Sequence, residues 1–377
     1  MKKNIATITF HASHNYGSVL QAYALQNAIK REFYCDCEII NFIKPEQVEM
    51  YSIFEKNNSI KKILKNIRTI LFKYQIIKNR HNSFNVFIKD KLKLSENEYH
   101  SEKELEKEKF NYDTIICGSD QIWNLGIKDF DYAYFLGFIK NVKKIAYSPS
   151  FGGSNPIKNS DDKNKIKNYL KDFTALSVRE NLGIEILNNL TNKEIEEVVD
   201  PTLLLEAKEW DIIASDRIIK KDYIFFYSID YNNDVVRMVK KISKQLNLPV
   251  VVLYTTAKTY KIMFSEFELS KKESPEDFLS LIKHAKLVLS NSFHGNVFSI
   301  IYRKPFYVLR GTYNGKINTD NRLTTLLEKF NILDREININ TINDIKISTQ
   351  LDYSSSEEKI KHEIEKSIKF LVDAIIS

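Results

Sequence analysis

Cysteine is scarce: the 377 residues hold three, Cys35, Cys37 and Cys117. Their spacing matches no zinc-ligand pattern, and an odd number cannot all pair with one another. Neither a structural metal nor a disulfide-stapled scaffold is expected, and a reducing compartment is. Nor does the chain contain an apolar run of about 18 residues, the length a membrane-spanning helix needs. The short apolar stretch from Asn4 to Phe10 is cut off by His11 and His14, unlike the core of a secretory signal. These absences predict a cytoplasmic protein. A GxGxxG loop is missing as well, which leaves no dinucleotide fingerprint. The net charge of +7 and pI near 8.9 come with no nucleic-acid signature, so the mild basic excess points to phosphorylated ligands or an anionic membrane face, and no nucleic-acid partner is expected.

What is present is a large apolar inventory, 43% hydrophobic residues with 23 Phe and 20 Tyr, enough for a substantial core. At about 150 residues per domain, the length suggests two domains. Strand-like segments at Ile5 to Phe10, Glu38 to Phe42, Thr114 to Cys117, Lys144 to Ser148 and Ala175 to Val178 alternate with helical ones such as Ser18 to Lys30. After Asp200-Pro201 a second series follows, with strands at Tyr223 to Ile229, Val250 to Tyr254, Leu287 to Ser290 and Phe306 to Leu309. Between them lie helices at Asp234 to Leu246, Pro275 to Ala285 and Asn296 to Tyr302. Such alternation makes βαβ units on a parallel sheet. The predicted fold class is α/β, two Rossmann-like domains facing across a cleft, the first over residues 1–190 and the second over 191–350, with a closing helix over 351–377.

One stretch breaks the alternation and predicts a basic helical insertion in the first domain, at about residues 45–110. Lys56 to Lys89 carries nine Lys or Arg and no acid. Ile60, Ile63, Leu64, Ile67, Ile70, Leu71, Tyr74 and Ile77 fall on one side of a helix, with Lys61, Lys62, Lys65, Arg68 and Lys73 on the other. Two readings stay open: a helix packed on the first domain, or one lying on an anionic membrane surface and giving peripheral contact at its cytoplasmic face.

Candidate site residues lie in the polar loops that follow predicted strands, because ligands of open α/β sheets bind at the strands' carboxyl ends, where helix amino ends offer N–H groups. The loop His11 to Ser18 contributes His14, Asn15 and Gly17; Gly17 can take a left-handed conformation and Ser18 can cap the next helix. In Cys117 to Asn124, the residues Asp120, Gln121, Trp123 and Asn124 resemble a sugar site, in which a ring stacks on indole and hydroxyls pair with amides and carboxylate; the alternative is a Trp anchored in the core. Ser148 to Gly153 offers small residues past which a ligand could approach the backbone. Arg179, just beyond a buried strand, needs an anion, either Glu180 or another carboxylate, or a ligand. Finally, Ser290, Ser292, Gly295 and Asn296 surround His294 in a turn between a strand and a helix, where the histidine is either reactive or a satisfied member of a capped turn.

TFHASHNYGSVLQAYALQ, YDTIICGSDQIWN, SVRE, VVDPTLLL and SNSFHGNVFSIIYRKPF follow one another along the chain, and in that order they resemble the polysaccharide pyruvyl transferase family over roughly Ile5 to Leu309. The resemblance implies a GT-B-like fold. It implies transfer of the pyruvyl group of phosphoenolpyruvate to a sugar of a cell-surface polysaccharide or its lipid-linked precursor, with no cofactor beyond that donor substrate and no metal. It makes His294 the counterpart of the family's catalytic histidine and Arg179 that of an active-site arginine. The chain departs from many members at Ser292, two positions before the histidine, where they carry an arginine; Arg303, Lys304 and Arg310 are the candidates to replace it.

Ketal formation from phosphoenolpyruvate needs a proton on the methylene carbon, which an imidazole suits; His294 is assigned that step. Arg179, Ser290, Ser292, Gly295 and Asn296 are assigned to the donor's carboxylate and phosphate. Asp120 is assigned as the acceptor of a sugar hydroxyl's proton, with His14, Asn15, Gly17, Gln121, Trp123 and Asn124 holding the acceptor. Two alternatives stand beside this reading: a GT-B glycosyltransferase using a nucleotide sugar, and a catalytically silent scaffold for polysaccharide assembly.

Overall fold

The computed structural model of the chain describes residues 3–54, 74–229, 231–254, 266–313, 315–318 and 320–377. The chain forms two compact units, Met1–Leu205 with Lys361–Ser377, and Glu206–Ile360. Among the described residues the first unit carries seven parallel strands, β1 (Ile5–Ile8), β2 (Cys37–Phe42), β3 (Leu94–Tyr99), β4 (Thr114–Cys117), β5 (Lys143–Ala146), β6 (Phe173–Val178) and β7 (Ile195–Glu197), in the order β3-β2-β1-β4-β5-β6-β7. The second carries β8 (Ile224–Tyr227), β9 (Val250–Val252), β10 (Glu268–Leu269), β11 (Leu287–Ser290) and β12 (Phe306–Arg310). A small hairpin of β13 (Thr312–Tyr313) and β14 (Lys316–Ile317) follows, and β15 (Glu336–Asn338) completes the sheet β10-β9-β8-β11-β12-β15.

Both sheets are doubly wound and parallel, as the alternation predicts. The strand order reverses between β1 and β4 and again between β8 and β11, which marks the place on each sheet's carboxyl edge where loops diverge and leave a crevice for a ligand. The central strands read as unbroken apolar runs, IATI for β1, TIIC for β4, IFFY for β8 and LVLS for β11, and every residue in them is buried. A parallel sheet covered on both faces requires that pattern.

The structure redraws the expected boundary. β7 pairs with β6, and the turn that follows it, Pro201–Leu204, also belongs to the first unit, so the division falls between Leu205 and Glu206 and not near residue 190. The last helix, Ser354–Ile376, is not a separate closing element: from Lys361 onward it is part of the first unit, with Leu371 and Ile375 fully buried. There Ser367 Oγ accepts the Val199 N–H at 2.9 Å. Residues 55–73, which hold most of the expected basic arc, lie outside the described residues. The helix Tyr74–Lys91 is described, and it buries Phe84 and Phe87 completely. No helix among the described residues is long and apolar enough to cross a membrane.

Each unit holds one of the chain's two tryptophans, Trp123 in the first and Trp210 in the second. Leu371→Ala in a Trp210→Phe background therefore isolates the first unit, and the Trp123 fluorescence transition in denaturant should lose about 2–5 kcal/mol, the usual cost of truncating a buried leucine. A change below about 0.5 kcal/mol would mean that the terminal helix is not part of that unit's core.

Candidate functional site

On the first unit the carboxyl edge is a hydrogen-bonded network. The Asn15 side chain accepts the Gly17 N–H at 3.0 Å and caps the helix Tyr16–Phe33, so Gly17 is helical and the left-handed role expected of it is not used. Ser18 is likewise not a cap. Its hydroxyl donates to Asp120 Oδ2 at 2.5 Å, joining the loops after β1 and β4 across the reversal point. Asp120 holds a positive φ of 69°, and Ser148, in the loop after β5, one of 59°. Non-glycine residues adopt this region at a cost of about 1–3 kcal/mol, which the surroundings must offset; the Ser150 N–H donates to the Asp120 carbonyl at 2.9 Å and helps hold the pair of loops. Gln121 and Asn124 are joined by a 2.8 Å amide–amide bond. Gly152, at φ 89°, lies so close that an added Cβ would stand 2.5 Å from Asn124 Nδ2. The small residues of that loop thus let the backbone approach these amides.

Trp123 is not the sugar platform that its sequence context suggests. It is fully buried, stacks on Phe135 at 4.8 Å and donates its indole N–H to the Tyr134 carbonyl, so it is a core anchor and offers no face to a sugar.

Arg179 is 4% exposed and meets two carboxylates: Nε to Glu180 at 3.4 Å and Nη1 to Asp200 at 3.0 Å. Burial alone would lower its pKa, but Glu180 and then Asp200 hold it above its ordinary value. Of the anions open to a buried guanidinium at this edge, Glu180, another carboxylate or a ligand, the fold supplies the first two. Asp200 is a residue that the sequence reading passed over as part of a boundary dipeptide. Fully buried, it also accepts from Ser119 Oγ at 3.0 Å and from the N–H and hydroxyl of Thr202 at 3.0 and 2.7 Å.

His14 is buried beside the helix Tyr74–Lys91, stacked on Phe84 and 4.5 Å from the His81 ring, with Nε2 against Asn85 Oδ1 at 3.1 Å. Burial first, then His81, pushes its pKa down to about 4. The neutral ring is therefore the form the fold holds.

On the second unit, Ser290 Oγ donates to the Tyr227 carbonyl at 2.7 Å and accepts the Ser292 N–H at 3.0 Å, tying β8, β11 and the start of the next helix together. That helix runs Phe293–Ile301, so His294 lies in its first turn and not in the preceding loop. Gly295 is required by close approach: an added Cβ would stand 2.4 Å from Ser290 Oγ. Asn296 is fully buried and donates to the Ser292 carbonyl at 2.7 Å, while its Oδ1 has no hydrogen-bond partner. His294 is 7% exposed and packs edge-on against Phe293. None of the candidates to replace the arginine absent at 292 supplies a spare charge at this edge. Arg303 pairs with Glu357, Arg310 pairs with Glu336, and Lys304 precedes β12 at the sheet's other edge.

The profile of one family, polysaccharide pyruvyl transferase, matches residues 15–312. The chain belongs to the polysaccharide pyruvyl transferase family. The match spans both units and includes Asn15 to Asn124 on the first and Ser290 to Asn296 on the second, with His14 one residue before its start. Among solved structures, the chain is similar over its whole length to UDP-N-acetylglucosamine 2-epimerase from Rickettsia bellii, at 10% identity and a TM-score of 0.52, covering 96% of that chain. It is similar to the Methanocaldococcus jannaschii UDP-GlcNAc 2-epimerase at 14% identity and a TM-score of 0.50, covering 99% of each chain. Such identities show a shared fold, two Rossmann-like units of the GT-B kind. No match is found among curated proteins.

Two outcomes follow for this pyruvyl transferase family member. Asp200→Asn removes a buried charge from Arg179 and should cost about 3–5 kcal/mol in denaturant titration followed by Trp123; a loss under about 1 kcal/mol would show that Glu180 alone satisfies the guanidinium. His14 has its pKa lowered on folding, so the unfolded chain takes up the proton first. Its stabilising contribution is present above pH 6.5, its ordinary value, and is lost as the pH falls from there toward about 4. Between pH 7 and pH 5, the melting temperature of His14→Gln should decline less than that of the wild type; parallel declines would exclude the buried neutral ring.

Proposed function

We propose that this chain transfers the pyruvyl group of phosphoenolpyruvate to a sugar of a cell-surface polysaccharide or of its lipid-linked precursor, forming a ketal. The observation that carries the reading is the family match across both units, joined to a histidine in the first turn of a helix at the second sheet's reversal point.

In this reading protonated His294 gives its proton to the methylene carbon of phosphoenolpyruvate, and the double-bond electrons form the new C–H bond. The adjacent carbon gains cationic character and is attacked by a sugar hydroxyl, whose proton passes to Asp120. A second hydroxyl of the same sugar then displaces phosphate, which leaves with that hydroxyl's proton, and Asp120 returns its proton through solvent to restore His294. Gly295 offers its backbone N–H at the helix amino end to the donor's oxyanions, while Ser290 and Ser292, bonded to each other, hold that end in place. Asn296 Oδ1, buried and without a partner, is an acceptor available to a ligand's hydroxyl. On the first unit the carboxylate of Asp120 and the amides of Gln121 and Asn124 suit hydroxyl donors, with His14, Asn15 and Gly17 lining the neighbouring loop. Arg179 enters as the group that holds this edge in shape. Peripheral contact with an anionic membrane stays part of the proposal, carried only by the cation-rich sequence around residues 56–89.

The test is release of inorganic phosphate from phosphoenolpyruvate in the presence of the isolated surface glycan. His294→Gln should fold with an unchanged melting temperature and lose turnover by about 10²-fold or more, the usual scale for a positioned acid. Near-normal turnover in that variant would remove His294 from the chemistry. Thermal stabilisation by UDP- or GDP-sugars with none by phosphoenolpyruvate would favour a nucleotide-sugar transferase instead.

A further inference from the structure

Arg179, the arginine that the sequence singles out on the first unit, spends its charge on Glu180 and Asp200. Among the described residues, a second arginine in that unit has no such carboxylate partner. Arg80 projects from the helix Tyr74–Lys91 onto the loop after β1, where its Nη2 donates to the His14 carbonyl at 2.5 Å. Its guanidinium carbon lies 4.7 Å from the Phe84 ring centroid and 5.5 Å from that of Tyr16, beside two aromatic rings that pack on each other. Its Nε is buried and has no hydrogen-bond partner. Asp120 and Asp129 act on Tyr51 in the same neighbourhood as Arg80, and neither closes into an ion pair with the guanidinium.

A guanidinium beside two aromatic rings, with a buried donor unsatisfied and no carboxylate paired to it among the described residues, is arranged for a planar oxyanion that brings its own charge. We propose that Arg80 binds an oxyanion of the substrate, a phosphate or carboxylate, at the loop His11 to Ser18. The shared chemistry fits two sources, phosphoenolpyruvate itself or an acid group carried by the sugar acceptor. The proposal rests on the pyruvyl-transfer reading only for naming these two sources; the anion site follows from the contacts of Arg80. The side chains around it include those of His14, His81, Asn85 and Tyr51, and the two carboxylates that act on Tyr51, Asp120 and Asp129, form no ion pair with the guanidinium among the described residues.

The experiment follows the Arg80 Nε–H resonance in ¹⁵N-labelled protein, assigned by its disappearance in Arg80→Lys, during titration with phosphoenolpyruvate, glucose 1-phosphate, glucuronate and methyl glucoside. A saturable shift with at least one oxyanion and none with methyl glucoside is expected. Arg80→Gln should weaken that oxyanion's binding by tenfold or more, about 1.4 kcal/mol. A shift with phosphoenolpyruvate alone assigns the site to the donor, and one with a sugar acid assigns it to the acceptor. A resonance unmoved by every oxyanion, or moved equally by methyl glucoside, overturns the proposal, as does wild-type affinity in Arg80→Gln. Phosphate release is measured separately. Oxyanion binding without turnover leaves Arg80 standing and removes pyruvyl transfer, whereas turnover with an unmoved resonance does the reverse.

Discussion

The carboxylate of Asp200 is the contact on which the first unit's ligand edge depends. One of its oxygens takes Arg179 and Ser119, and the other takes the backbone and hydroxyl of Thr202. Those donors come from the ends of β6 and β4 and from the turn after β7, so a single side chain sets the positions of three segments that sequence distance keeps apart. A fully buried carboxylate is costly unless all its lone pairs are used, and here they are. From Arg179 the network continues through Glu180 to Ser150, whose hydroxyl donates to Glu180 at 2.6 Å and receives the Gly152 N–H at 3.0 Å. Gly152 in turn leaves room for the Gln121–Asn124 pair. The edge is one connected set of contacts, which reaches Asp120 through the Ser150 N–H on its carbonyl.

The second unit solves the same geometric problem without charge. Ser290 Oγ bridges β8 and the start of the helix Phe293–Ile301, the missing Cβ of Gly295 lets the helix sit against it, and Asn296 closes the first turn from below. This edge is built from hydroxyl, amide and backbone groups around one imidazole, whereas the first is built from carboxylates balanced by an arginine. The difference is chemical: carboxylates and amides suit hydroxyl donors, while helix N–H groups suit anions.

The central strands were legible because a parallel sheet buried on both faces writes itself as an apolar run. β3, β7, β10 and β15 were not read, because LSENEY, IEE, EL and EIN lie at or next to the sheet edges and carry little apolar signal. The candidate loops were legible by position alone, since polar residues after a buried strand mark the carboxyl edge. Side-chain roles within them were less so. Trp123 reads as a sugar platform in GSDQIWN, but its burial follows from Phe135 and Tyr134, which only the fold brings beside it. The second carboxylate on Arg179 could not be named because Asp200 lies beyond β7, a strand that the sequence does not reveal. Arg80 is one of nine cations in a basic stretch, and nothing local separates it from the other eight; its aromatic neighbour Tyr16 comes from a distant helix.

Serine at 292 has a further consequence. An arginine there would add a fixed cation beside His294. The serine serves instead as the residue before the helix, its N–H on Ser290 and its carbonyl on Asn296, with no side-chain cap bond. Arg303 and Arg310 are held by Glu357 and Glu336, so neither is released to take the missing role without stranding a carboxylate. On the proposed reading, anion recognition at this edge then falls to backbone N–H groups and to the protonated imidazole itself. The group that delivers the proton is also the local cation, and giving the proton away weakens the hold on the donor's oxyanion at the moment when phosphate must leave.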